Sequence, residues 1–215
     1  MALQDLLDLS TKRKKIGVSY ERLQPIMPHL RNYIAFWREY PDLFVDFLVR
    51  GTRSEVREGE FQFYFYQRVF LRVVMRYQYV YAVFPRAFSK SFLSIIALLC
   101  RCILYPRIKL FVTSGGKEQA AQILKDKVSE ICTLIPGFAR EIDWRRGKTQ
   151  EGKDYCKYIF KNGSELDNLA ARESTRGKRR HGGLVEECVG VDDKILREVI
   201  IPTMAISRRC MDGTT

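Results

Sequence analysis

The sequence predicts an α/β fold in which a mainly parallel sheet is flanked by helices. Three observations support this prediction. Short β-branched and aromatic runs alternate with apolar periodicities of helical length, and Gly, Pro and Asn-Gly punctuate the boundaries. The composition is that of a globular protein, with 46% hydrophobic and 29% charged residues. We expect an N-terminal helical extension or lid over residues 1–60 and a core domain over residues 61–215.

The extension should hold two or more short helices, because apolar and aromatic residues recur at helical spacing over residues 19–49 with a break at Pro41. The polar stretch GTRSEVREGE predicts a loop, and FYFYQRVFLRVVMRY predicts a third helix. The aromatic side chains of Trp37, Phe44 and Phe47 are expected to be core. A lid over a ligand, or a docking surface for a partner, is the alternative interpretation.

The core should begin with a short buried strand, YVYAVF at residues 79–84, bounded by Pro85. Residues 92–104 are apolar nearly all round, which predicts a buried helix. The remaining elements are predicted by alternation, periodicity and turn residues: a strand at 108–113, an amphipathic helix ended by Pro136, a hairpin with strands 156–160 and 165–169, a strand at 183–185 and a helix at 195–201.

Charge and composition restrict the function classes. The chain has 37 Lys and Arg against 25 Asp and Glu, a formal charge of +12, which favours a polyanionic partner such as nucleic acid or an anionic membrane surface. Basic residues do not segregate onto one helical face, which argues against the membrane. The longest apolar stretch, 92–105, contains Arg101 and is too short to span a bilayer, and the first residues lack a signal-peptide pattern, so we expect a soluble intracellular protein. The six cysteines are scattered, so we expect free or buried thiols without a zinc site.

The stretch PRAFSKS places Lys90 and Ser91 between the first predicted strand and the buried helix. A phosphate-binding loop needs this arrangement, because the helix N-terminus and a lysine attract phosphates and a hydroxyl can bind Mg²⁺. The standard pattern requires glycine where this chain has Phe84 and Ser89. An ordinary strand-to-helix turn is therefore the alternative.

A second group of polar residues follows the predicted strand at 183–185. Glu186 and Glu187 could hold a metal and position a water molecule, although two adjacent glutamates are also typical of a solvated helix start. The segment ARESTRGKRR comes just before that strand, and its cations fit either a solvated surface or a contact with phosphates.

These features, in this order, resemble the ATPase domain of a tailed-bacteriophage terminase large subunit, the motor that packages DNA into the capsid. The resemblance runs from about residue 34 to the C-terminus and rests on FWREYPDLFVDFL, FYQRVFLRVVMRYQYVYAVFPRAFSKSF, KLFVTSGGKEQAAQI, FKNGSELDNLAARESTRGKRRHGGLVEE and IIPTM. It implies a P-loop NTPase fold of the ASCE type and ATP with Mg²⁺ as cofactors. That family accommodates an irregular phosphate loop that contains arginine.

The resemblance also implies roles for individual residues. Gln67 would read the adenine, with Tyr66 beside the base. Lys90 would bind the β- and γ-phosphates, and Arg86 would sense the γ-phosphate. Ser91 and Glu186 would hold Mg²⁺, and Glu187 would orient or activate the attacking water. The residues expected around the phosphates are Arg86, Ala87, Phe88, Ser89, Lys90, Ser91 and Phe92; the candidates for an arginine finger or a DNA contact are Arg172, Arg176, Arg179 and Arg180.

The partners implied by the resemblance are double-stranded DNA, a portal protein, a small terminase subunit and further copies of the chain in a ring. The resemblance also implies that the protein acts in the cytoplasm of a bacterial host, at the procapsid portal during packaging. No coupling segment or nuclease domain can be recognised, so we expect an N-terminal fragment, a split gene product or a truncated reading frame that does not cleave DNA by itself. Two alternatives stay open: another DNA-stimulated ATPase such as a helicase, and a catalytically inactive module that only binds DNA or a partner.

Overall fold

The computed structural model describes residues 27–51 and 55–204. The helices are α1 (Met27–Glu39), α2 (Pro41–Arg50), α3 (Phe65–Arg76), α4 (Lys90–Leu104), α5 (Lys117–Leu134) and α6 (Pro136–Glu141). The strands are β1 (Lys109–Thr113), β2 (Gln150–Glu151), β3 (Cys156–Ile159), β4 (Glu165–Asn168) and β5 (Gly182–Val185). A helical segment, residues 193–203, follows β5 and includes one π-helical turn.

Most predicted helices are confirmed. The break at Pro41 separates α1 from α2, because proline is tolerated at the first turn of a helix and not in its interior. In α5 the buried residues recur at helical spacing, and the helix ends before Pro136, which starts α6. The expected helical residues 19–26 lie outside the described residues, as do residues 52–54 of the expected loop, Cys210 and the C-terminal end.

The sheet has the strand order β2-β3-β4-β1-β5 and is mixed, which corrects the expectation of a mainly parallel sheet. β1 pairs in parallel with β4 on one side and with β5 on the other. The predicted hairpin is confirmed as the antiparallel pair β3 and β4, and the short strand β2 pairs antiparallel with the other side of β3. A short turn closed by the hydrogen bond from the N–H of Phe160 to the carbonyl of Ser164 reverses the chain, so the hairpin cannot add a parallel strand.

The two faces of β1 contact different layers. Leu110 and Val112 belong to the main core with α4 and α5, whereas Phe111 packs with Leu169 and Ile200 under the segment 193–203. In the parallel register Thr113 lies opposite Val185, so β1 and β5 end at the same edge of the sheet. Residues that follow these two strands are therefore neighbours.

The predicted buried strand at residues 79–84 is wrong. These residues form no helix or strand, and most of their side chains are exposed, with Tyr81 at 74% and Val83 at 80%. Strand composition gives a strand only where a neighbouring strand accepts its backbone hydrogen bonds. Among the described residues no strand pairs with this segment, and the sheet ends at β5.

The N-terminal helices join the same main core as the sheet. Phe44 is buried in this core and Trp37 packs against it, with ring centroids 5.2 Å apart, as expected for core aromatics. Phe47 is only partly buried and stacks on Trp37 at 5.0 Å. Asp42 is fully buried and accepts hydrogen bonds from Arg68 and Arg72 of α3. In residues 27–51 and 55–204 no helix has both the length and the apolar character needed to cross a membrane.

Candidate functional site

The candidate site begins at the turn before α4. Residues 85–89 are exposed, and two of them adopt left-handed backbone conformations, Ala87 with φ 66° and Ser89 with φ 54°. Each costs roughly 1–2 kcal/mol for a residue other than glycine. Ser89 thus takes a glycine-like conformation at a position where the standard phosphate loop has glycine. Successive right- and left-handed residues turn backbone N–H groups inward, and such concavities bind anions.

Lys90 and Ser91 are the first two residues of α4, and both contact Glu186. Ser91 Oγ donates to Glu186 Oε1 at 2.6 Å, and Lys90 Nζ lies 3.2 Å from the same oxygen. Glu186 follows β5 directly, is only 4% exposed, and its N–H donates to the carbonyl of Thr113. The structure therefore brings three of the predicted site residues together at the carboxyl edge of the parallel strands.

Glu187 lies at the same edge of the sheet, but its side chain is directed toward α5. It also has a left-handed conformation, with φ 51°, and its side chain is exposed. Oε2 of Glu187 accepts a hydrogen bond from Nε2 of Gln119 at 3.2 Å. Gln119 lies in the first turn of α5, so this bond connects the predicted water-orienting carboxylate to the turn after β1.

Gln119 was not predicted as a site residue. Its position could have been found from the sequence, because it follows the predicted strand β1 by a few residues and parallel strands end at one edge. The same edge holds Thr113, whose buried hydroxyl is without a hydrogen-bond partner in the part of the chain that the structure describes. The sequence signal that could have indicated Gln119 was the presence of polar residues just after neighbouring parallel strands.

The residues predicted to hold the adenine lie beside the turn. Gln67 is buried; its Oε1 accepts from the N–H of Tyr64, and its Nε2 donates to the hydroxyl of Tyr66 at 3.3 Å. The ring of Tyr66 lies 5.4 Å from that of Phe88 in the turn. An aromatic surface therefore continues from α3 to the turn, although the Gln67 acceptor is already used to cap α3.

Other predicted residues lie apart from this cluster. The side chain of Phe92 is buried in the main core against Phe61. Arg86 is exposed, and its side chain has no hydrogen bond or ion pair among the described residues. In the basic loop, Arg180 pairs with the buried Asp167, and Arg176 pairs with Glu173. Arg172 and Arg179 are exposed.

The Ser91–Glu186 pair fits a hard divalent cation, because hydroxyl and carboxylate oxygens are the ligand types that Mg²⁺ prefers. Across residues 27–51 and 55–204 no group of three or more His, Cys, Asp or Glu could hold a metal ion. Mg²⁺ usually keeps several waters and binds through one or two protein oxygens plus substrate phosphates. A magnesium ion here would complete its coordination with phosphate oxygens and water molecules.

Comparison with known proteins provides no further assignment, since no family model and no curated protein matches this chain.

Proposed function

We propose that the chain binds ATP with Mg²⁺ at the turn before α4 and hydrolyses it. The observation that carries the proposal is the contact of both Lys90 and Ser91 with Glu186. The sequence separation of Ser91 and Glu186 is 95 residues, so the fold and not local sequence brings the cation, the hydroxyl and the carboxylate together. A lysine at a helix N-terminus, beside a hydroxyl and a buried acid, is the arrangement with which P-loop NTPases bind phosphates and Mg²⁺.

The roles that we propose for these residues are those that the sequence resemblance implies, and the geometry supports them. Lys90 and the backbone N–H groups of residues 86–90 bind phosphate oxygens, and Arg86 is free to reach the terminal phosphate. Ser91 and Glu186 would hold Mg²⁺, and the ion would supply positive charge to the phosphate oxygens. Glu187 accepts the proton of the attacking water once its carboxylate turns from Gln119 toward the phosphates. Tyr66 and Phe88 offer apolar surface to the base.

The finer proposal is that this ATPase is the motor module of a terminase large subunit, acting on double-stranded DNA. The sequence resemblance supports it, and so does the formal charge of +12, which suits binding to a phosphate backbone regardless of base sequence. A portal protein, a small terminase subunit and a ring of copies are the partners that this proposal implies.

A second candidate function is a module that binds DNA or a partner without hydrolysing ATP. Two observations favour it. The turn follows an exposed segment, residues 79–84, instead of a strand that would hold it in place. Glu187 is bonded to Gln119 and not to the turn. Retention of DNA without measurable ATP affinity would establish this alternative.

ATP hydrolysis by the purified chain, with and without duplex DNA and at low and moderate salt, tests the proposal. We expect turnover that DNA stimulates and that Lys90→Ala and Glu187→Gln abolish. Lys148→Ala is the matched control, because Lys148 is an exposed lysine in another loop. If the folded wild-type chain hydrolyses ATP no faster than the Lys90 and Glu187 variants, the ATPase proposal is wrong.

A further inference from the structure

A cleft of about 450 Å³ lies between the basic loop before β5 and the helical segment 193–203. One wall is formed by residues 176–179, which include Lys178 and Arg179. The opposite wall is formed by Glu198, Val199, Pro202 and Thr203. Its lining does not include the turn before α4, so it is a second concavity, separate from the candidate nucleotide site.

The loop that forms the basic wall is attached at both ends. The buried hydroxyl of Thr175 donates to the carbonyl of Ala170 at 2.6 Å. At the other end, Arg180 pairs with Asp167, a buried residue of β4, and its N–H donates to the carbonyl of Thr203. Gly177, with φ 87°, provides the turn between these attachments. The cations between these two attachments therefore lie on a loop that is fixed to the rest of the fold at both ends.

The cations of this loop divide into two kinds. Arg176 and Arg180 are neutralised: Arg176 lies near Glu173 and Glu198, and Arg180 pairs with Asp167. Lys178 and Arg179 are exposed, and neither side chain has a carboxylate partner within residues 27–51 and 55–204. Two adjacent positive charges thus line the cleft without compensation, while their neighbours fix the loop.

We propose that this cleft binds the phosphate backbone of double-stranded DNA, with Lys178 and Arg179 as the phosphate contacts. Guanidinium and ammonium groups bind phosphate oxygens strongly, and such contacts position a protein on DNA without reading its sequence. An anionic membrane is a poorer fit, because the residues that line the cleft include no aromatic side chain that could enter a lipid interface. The choice of duplex DNA as the ligand rests on the proposed function.

The test is the affinity for a fluorescent DNA duplex, measured by anisotropy over a range of salt concentrations and without nucleotide. The double variant Lys178→Ala/Arg179→Ala is compared with Arg146→Ala/Lys148→Ala. Both remove one lysine and one arginine from exposed positions, so net charge changes equally. We expect the first variant to bind more weakly and to lower the slope of log affinity against log salt by about 1.8, as two lost phosphate contacts predict.

The control variant should keep the wild-type slope within a few tenths. Equal losses in the two variants would show diffuse attraction by net charge and overturn the cleft assignment. Loss of binding to phosphatidylserine vesicles but not to DNA in the cleft variant would overturn it in favour of a membrane surface. The assay contains no ATP, so its result tests DNA binding by the cleft even if the chain proves not to hydrolyse ATP. Thermal denaturation of each variant shows whether it is folded.

Discussion

The hydroxyl of Ser91 donates a hydrogen bond to Oε1 of Glu186 at 2.6 Å, which ties the start of α4 to the end of β5. Lys90 Nζ lies 3.2 Å from the same oxygen, so the buried carboxylate of Glu186 forms an ion pair with Lys90 in addition to its hydrogen bond with Ser91. This pairing offsets the cost of burying Glu186, since an isolated buried carboxylate is expensive. A Mg²⁺ ion at this site would have to separate the two oxygens and bind both.

Ser91→Ala is expected to lower Mg²⁺-dependent ATP hydrolysis by about 10- to 100-fold, because it removes an oxygen ligand and leaves Glu186 paired with Lys90 alone. Ser91→Thr keeps the hydroxyl and should retain most of the activity. A Mg²⁺ titration of hydrolysis measures both effects. Ser129→Ala, an exposed serine of α5, is the control. Equal activity of the alanine and threonine variants would contradict a metal-binding role.

Gln119→Ala is expected to raise hydrolysis in the absence of DNA, by several-fold, because the amide that holds Glu187 toward α5 is lost. The effect should appear in kcat and not in KM, since the side chain of Gln119 hydrogen-bonds with Glu187 and Ser114, and neither is proposed to bind ATP. Steady-state kinetics measure the two constants. Gln122→Ala, which removes a glutamine amide bonded to Asp126 on the same helix, should change neither. An unchanged or lowered kcat in the Gln119 variant would show that the bond does not restrain Glu187.

Asp42→Asn is expected to lower the free energy of unfolding at neutral pH by about 3 kcal/mol, the low end for breaking a buried ion pair, because both arginine partners are partly exposed. Burial by itself would raise the pKa of Asp42, but the hydrogen bonds and charges of Arg72 and Arg68 bring this pKa below its ordinary value of 3.8.

A carboxyl whose pKa is lowered by folding contributes stability above its unfolded pKa, and this contribution is lost as the pH falls through the folded value. The difference between wild type and Asp42→Asn should therefore be full at neutral pH and shrink below about pH 4. Urea denaturation at neutral and acidic pH measures it. Asp126→Asn, an exposed aspartate, is the control. A difference that does not change with pH would contradict the ion-pair origin.

Gly183→Ala is expected to lower the free energy of unfolding by about 1–3 kcal/mol, as overpacking does in a core. A Cβ at Gly183 would lie 2.5 Å from the ring of Phe111, which fills the second face of the sheet. Gly190→Ala is the matched control, since nothing lies within 4 Å of a Cβ there. Thermal and urea denaturation of the two variants measure the difference. Equal stability would show that Phe111 can move aside without cost.

Much of the fold was determined by local sequence. The periodicity of α5, the apolar character of α4 and the Asn162-Gly163 turn predicted elements that the structure contains, because one buried face or one turn type is enough to select each of them. The polar residues at the start of α4 and after β5 were also visible, and Lys90, Ser91 and Glu186 do meet. Their roles toward ATP and Mg²⁺ stay predictions.

Only the tertiary structure decided the rest. Residues 79–84 have the composition of a strand and form none, because a strand depends on a neighbour that the sequence of the segment does not specify. The bond between Gln119 and Glu187 depends on where distant segments lie. So does the difference in the basic loop between cations that pair with a carboxylate and cations that have no such partner in the described part of the chain. Local spacing determines which face a side chain occupies, whereas its partner is determined by chain segments that only folding brings together.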